Sequence, residues 1–263
     1  MMNISSKYSW KTTSSRQNSP LLPSNIRGLI IGKSNSGKTT LIFNLLLQPD
    51  WLDYDHLYVF GNSLHQPEYQ IIKKGFTANL SKQQISNIFI QQDILSKANI
   101  SPQQAIDQYD GFKDGGVVAS FYDDCSKIPD PSELNIRDKN LLILDDCFLG
   151  KQNKAEAYYS RGRHNNCDTI YISQNYFRLP RQTIRENSNL IILFPQDSKN
   201  LNHIYADHCA TDISMIEFKA FCKKVWSNQH DFITLDLTSS SMNGKYRKNL
   251  NCFYFPETTG NII

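Results

Sequence analysis

Uninterrupted apolar runs alternate along this chain with stretches of helical spacing. Gly28-Leu29-Ile30-Ile31, His56-Leu57-Tyr58-Val59-Phe60, Leu141-Leu142-Ile143-Leu144, the stretch from Asp168 to Gln174, and Leu190-Ile191-Ile192-Leu193-Phe194 read as strands. Such short runs, without polar alternation, suit strands covered on both faces, as in a parallel sheet between helices. Between them, Leu41 to Leu47, Ser81 to Lys97, Ala155 to Arg163, Asp197 to Cys209 and Thr211 to Trp226 carry helical patterns. In the last of these, Thr211 or Asp212 is the expected N-cap, Lys223-Lys224 suit the C-terminal end, and Ile213, Ile216, Phe221 and Val225 are the expected core face. Val117 to Tyr122 reads as a further strand. Phe232 to Leu237 and Tyr246 to Phe255 alternate around Asn243-Gly244, which predicts a closing hairpin. Residues 1 to 24 are rich in Ser, Asn, Thr and Lys and lack periodicity, which predicts a flexible tail before a single domain over 25–263. The stretch from 63 to 140 is the least legible.

The first junction carries the clearest chemistry. Gly32-Lys33-Ser34-Asn35-Ser36-Gly37-Lys38-Thr39-Thr40 joins an apolar strand to an apolar helix, the context that gives G-x-x-x-x-G-K-[ST] its meaning. Its glycines let backbone N–H groups wrap a phosphate while the helix adds its positive end. Lys38 is placed to reach the β- and γ-phosphates, and the Thr39 hydroxyl to ligate Mg²⁺. The pattern therefore implies a nucleoside triphosphate, with ATP and Mg²⁺ as the expected cofactors. At the end of the 141–144 run stand Asp145 and Asp146, at the sheet edge where α/β folds collect their ligands. Asp145 is the expected Mg²⁺ ligand through water, and Asp146 the base for an attacking water; an exposed Asp-Asp turn is the plainer alternative. Gln174 ends the 168–174 run, where an amide either senses the γ-phosphate and the lytic water or simply opens a loop.

Composition adds boundaries. The 263 residues are 40% hydrophobic and 20% charged, as for a globular protein, and a net charge of +3 does not by itself announce nucleic acid. No run is long enough for a membrane span and no signal-peptide core opens the chain. The six cysteines form no C-x-x-C pair, so reduced, mostly buried thiols of an intracellular protein are expected.

Guanine recognition by Asn-Lys-x-Asp is missing: Asn153-Lys154-Ala155-Glu156 has Glu in the deciding place. An Asp-Asp strand followed by a strand ending in Gln suits an ATPase whose nucleophile is water. The series Ser160-Arg161-Gly162-Arg163-His164-Asn165-Asn166, Tyr171 to Phe177, Leu179-Pro180 and Ile184-Arg185-Glu186-Asn187, with Phe121-Tyr122-Asp123-Asp124 and Ile128-Pro129-Asp130 upstream, resembles the poxvirus-type genome packaging ATPases of the FtsK–HerA superfamily. The resemblance covers roughly residues 26 to 255. Asp146 departs from it, since many relatives of the wider superfamily carry Glu there.

That resemblance implies an α/β fold, a RecA-like P-loop NTPase core with a mostly parallel sheet flanked by helices. The Gln174 strand would lie between the strands of the P-loop and Asp145. It implies ATP hydrolysis that drives double-stranded DNA into a capsid, by a ring homo-oligomer (pentamer or hexamer) working with capsid or vertex proteins. The place of action would be the host cytoplasm or nucleus, or the virion. Arg163 matches the place of the interface arginine. Arg178, Arg181, Arg185, Lys245, Arg247 and Lys248 are candidates for DNA backbone contacts, although a surface basic residue is more often merely solvated. A nucleotide-gated assembly protein that does not pump, and a cellular DNA-translocating or repair ATPase of the same fold, are the competing readings.

Overall fold

A computed structural model describes residues 17–91, 100–109, 116–147 and 153–256. Among these described residues nine strands form one sheet in the order β3-β2-β4-β5-β1-β6-β7-β8-β9. They are β1 Arg27–Ile31, β2 His56–Gly61, β3 Val118–Tyr122, β4 Asn140–Asp145, β5 Cys167–Ser173, β6 Leu190–Leu193, β7 Ile233–Asp236, β8 Tyr246–Lys248 and β9 Cys252–Tyr254. The first six neighbours in that order pair in parallel, and β7, β8 and β9 extend the sheet antiparallel from β6.

The apolar runs are explained by two cores, one on each face. Ile30, Leu141, Ile143, Ile170, Ile172 and Ile192 point to one. There they meet helices α1 (Lys38–Leu47), α2 (Pro67–Thr77), α3 (Lys82–Ile90) and the short α4 (Pro102–Asp107). Their chain neighbours Leu29, Ile31, Leu142, Leu144, Tyr171 and Ile191 point to the other. That face is covered by α5 (Asn153–Arg161), α6 (Ser198–His208) and α7 (Met215–Val225). A two-residue side-chain period feeds both cores only if every position is apolar.

Several expectations are corrected. Part of the expected 1–24 tail is docked on the domain: Asn18 Nδ2 donates to Asp168 Oδ2 at 2.7 Å, Ser19 N–H to Trp51 O at 2.8 Å, and Leu22 is buried. Buried Asp168 also accepts the Ile26 N–H at 2.7 Å and faces Lys139, so a polar-looking lead-in is tied across the sheet by its side chains. Residues 1–16, Trp10 among them, lie outside the described residues, as do Ile94 and Leu95 of the expected 81–97 helix. The α7 cap is Ser214 rather than Thr211 or Asp212, its side chain accepting the Glu217 N–H. This turns Ile216 outward, 83% exposed, while Ile213, Phe221 and Val225 are core as expected. The closing hairpin forms, β8 pairing antiparallel with β7 around Asn243-Gly244, and is extended by a third strand into a meander because Asn249, at φ 51°, breaks the 246–255 run between β8 and β9. Cys125 and Cys147 are joined by a disulfide, and Cys252 is exposed, against the expectation of reduced, mostly buried thiols; Cys167, Cys209 and Cys222 are buried and free. Among the described residues no helix is long and apolar enough to cross a membrane.

Candidate nucleotide-binding site

The phosphate loop follows from local sterics. A Cβ on Gly32 would lie 2.7 Å from that of Phe194 and 2.5 Å from Ser36 Oγ, so only glycine lets the turn close against β6. Asn35 and Gly37 take positive φ, 59° and 105°, and so turn the chain into α1. The N-terminus of α1 has no side-chain cap and no acidic residue in its first turn, so its N–H groups and positive end remain available to an anion. Lys38 Nζ folds back over the loop and donates to Gly32 O and Lys33 O, both at 2.7 Å. Burial holds its ammonium below the usual lysine value, with Asp145 and Asp146 pulling the other way. Ser36 Oγ is buried without a hydrogen-bond partner among the described residues.

Opposite the loop, β4 ends at Asp145. Its Oδ2 accepts the Tyr69 hydroxyl of α2 at 2.6 Å. Burial pushes its carboxyl above the ordinary range, against the Tyr69 bond and the charge of Lys38. Asp146 leaves the strand at φ 53°, and its N–H stays on Ile172 O at 3.0 Å. That single left-handed residue re-aims the second carboxylate. Its Oδ2 accepts Gln174 Nε2 at 3.2 Å, and Gln174 Oε1 in turn lies 3.5 Å from Ser34 Oγ. One side chain thus spans the loop and the carboxylate.

A cavity of about 310 Å³ is lined by Ser34 to Thr40, Asp145, Asp146 and Gln174, together with Ser63, Gln66, Glu68 and His230. The last four escape sequence reading. Pro67, the first residue of α2, is the signal for a helix start there, while nothing local marks His230. Thr39 and Asp145 fit Mg²⁺, since a hydroxyl and a carboxylate lining one cavity are the oxygen donors a small cation takes while keeping its waters.

In the sheet, β5 lies between β1 and β4, and β6 flanks β1 on the other side. This is a RecA-like P-loop NTPase core. Solved structures similar to it include the genome packaging NTPase B204 of Sulfolobus turreted icosahedral virus 2 in complex with ATP-gammaS, 16% identical with a TM-score of 0.47 over 81% of this chain and 93% of that one. VirB4 of Thermoanaerobacter pseudethanolicus is 13% identical at a TM-score of 0.44 over 82% and 87%. EssC (ATPases 2 and 3) of Geobacillus thermodenitrificans is 13% identical at 0.39 over 80% and 37%. No protein-family model and no curated protein matches the chain.

The arginines separate. Arg163 is exposed in a 3₁₀ turn, Gly162–Asn165, at the start of β5, the opposite sheet edge from the loop. Arg27, at the foot of β1, is held below the usual arginine value first by burial and then by the charge of Arg163. Seven strand residues span roughly 20 Å, so Arg163 does not reach its own chain's cavity. Arg161 pairs with Asp130 at 3.0 Å. Three of the basic residues expected on DNA are instead interior. Arg185 is 5% exposed against Asp207 at 3.0 Å, Arg247 is 3% exposed against Asp236 at 2.6 Å, and Lys245 is 9% exposed and bonded to Asp212. Their acidic partners are remote or unpatterned in sequence, which is why they read as surface. Arg178 and Arg181 are exposed, and Lys248 is partly exposed beside Asp231 at 2.8 Å.

Proposed function

We propose that this P-loop core hydrolyses ATP and uses it to move double-stranded DNA into a capsid, as a ring of identical subunits docked on capsid or vertex proteins. The observation that carries the hydrolytic half is the Gln174 bridge between the phosphate loop and Asp146. The loop N–H groups, the α1 N-terminus and Lys38 bind and orient the phosphates. Asp146 takes the proton of the attacking water, and Gln174 holds that water in line. Thr39 and Asp145 hold Mg²⁺, which when bound offsets charge on the phosphate oxygens. Arg163 stabilises the departing γ-phosphoryl group in a neighbouring subunit, a role its distance from its own cavity supports. The DNA half rests on the Arg-Gly-Arg-His to Gln to Ile-Arg-x-Asn series and on Arg178 and Arg181, exposed just beyond the Gln174 edge.

Steady-state ATPase assays with and without long duplex DNA test this. Multiple-turnover hydrolysis stimulated by duplex of any sequence, with the stimulation falling steeply as salt rises, is expected for a motor gripping phosphates. Tight ATP binding with turnover indifferent to DNA would favour the nucleotide-gated assembly protein instead.

A further inference from the structure

His230 stands on the nucleotide cavity without a role in the chemistry above. We infer that His230 contacts the nucleoside half of the bound nucleotide, its ring packing on the base, and so helps to set which nucleoside triphosphate is accepted. This inference rests on the nucleotide-site reading and extends it to a part of the ligand that the phosphate loop does not touch.

Three observations converge on it. The imidazole Nδ1 lies 3.2 Å from Ser36 O, and a Cβ on Gly37 would come within 3.3 Å of that nitrogen, so the ring sits directly against the loop. His230 takes φ 67°, a left-handed conformation uncommon for a non-glycine residue. Its neighbours hold it there: Asp231 accepts from Asn228 Nδ2 at 3.1 Å, Lys248 Nζ at 2.8 Å and Asn249 Nδ2 at 3.0 Å, and the Phe232 ring packs on Phe194 at 5.3 Å. An over-determined, strained residue on a cavity wall points to a functional constraint.

Its flank says which part of the ligand it meets. β7 runs antiparallel to β6, so its start returns to the sheet edge that bears the phosphate loop. The water-activating groups Asp146 and Gln174 end β4 and β5, on one side of β1; His230 precedes β7, on the other. A triphosphate with its γ end turned toward Asp146 carries its nucleoside toward the opposite flank. There a flat ring offers a purine a stacking surface, an interaction that tolerates positional slack and needs no base-edge hydrogen bonds.

Equilibrium binding of ATP and of inorganic tripolyphosphate to the full chain decides the matter. His230→Asn tolerates the left-handed backbone and can still donate to Ser36 O, and His230→Gly adopts it without strain. Thermal melting of both checks that they fold. Both variants are expected to bind ATP about tenfold or more weakly, the scale of a lost base stack, with tripolyphosphate affinity unchanged. Equal weakening for both ligands would make His230 a phosphate ligand or a brace for the loop, and overturn the inference. Undiminished ATP binding by both folded variants would overturn it as well, leaving the nucleotide site standing. A wild-type chain that binds tripolyphosphate no more weakly than ATP would sink the nucleoside contact at its root.

Discussion

Asp146 shows how much a single backbone angle decides. At φ 53° it departs from the strand that places Asp145, and it faces Gln174 instead of continuing into the core. The residue pattern around it was legible because an apolar run ended in two carboxylates. The loop residues Gly32 to Thr40 were legible because strand and helix bracket them. Glu68 and His230 were not, since each reaches the cavity from a segment whose own spacing says nothing of phosphate. Asp146→Asn is expected to bind Mg·ATP with little change yet turn it over about a hundredfold or more slowly, because an amide cannot take the water's proton. Single-turnover hydrolysis beside a binding titration checks it. Retained turnover would pass the role of base to Glu68, and lost binding would mean that the roles of the two aspartates are exchanged.

At the scale of elements, the parallel half of the sheet was readable and the antiparallel extension only partly so. Leu141–Leu144 and Leu190–Phe194 are apolar throughout because both faces are covered, a signal that survives without any knowledge of partners. The meander carries polar residues that look solvated. Yet Arg247 donates to Asp236 at 2.6 Å, to Gly244 O at 2.7 Å and to Leu21 O, uniting the meander with the N-terminal lead-in. Ion pairs of this kind have no period. Arg247→Ala is expected to lower unfolding stability by about 3–5 kcal/mol, because it leaves the Asp236 carboxylate buried without its cation. Urea denaturation measures it. If Arg247→Met with Asp236→Leu proves no more stable than Arg247→Ala alone, the loss lies in packing and not in the stranded charge.

Across the whole molecule, the phosphate loop and Arg163 occupy opposite ends of one sheet, so any partnership between them joins two copies of the chain. Lys38→Ala and Arg163→Ala should each be inactive alone. Mixed in one assembly they should regain ATPase activity wherever an intact loop meets an intact arginine, the rate gain from such a residue being about three to five orders of magnitude. Continued silence in assemblies shown by native mass spectrometry to be mixed would end the trans role, as would full activity of Arg163→Ala alone. The central place of β1 has a different consequence, for the order of events at the ribosome. Its neighbours are β5 and β6, and the bonds that frame it join residues 142 and 162 positions apart, Ile26 to Asp168 and Arg27 to Asn189. Contacts so distant along the chain form late. A nascent chain emerging only as far as β4 therefore carries every residue from Gly32 to Thr40, and Asp145 as well, while neither of the strands that flank β1 has yet been made.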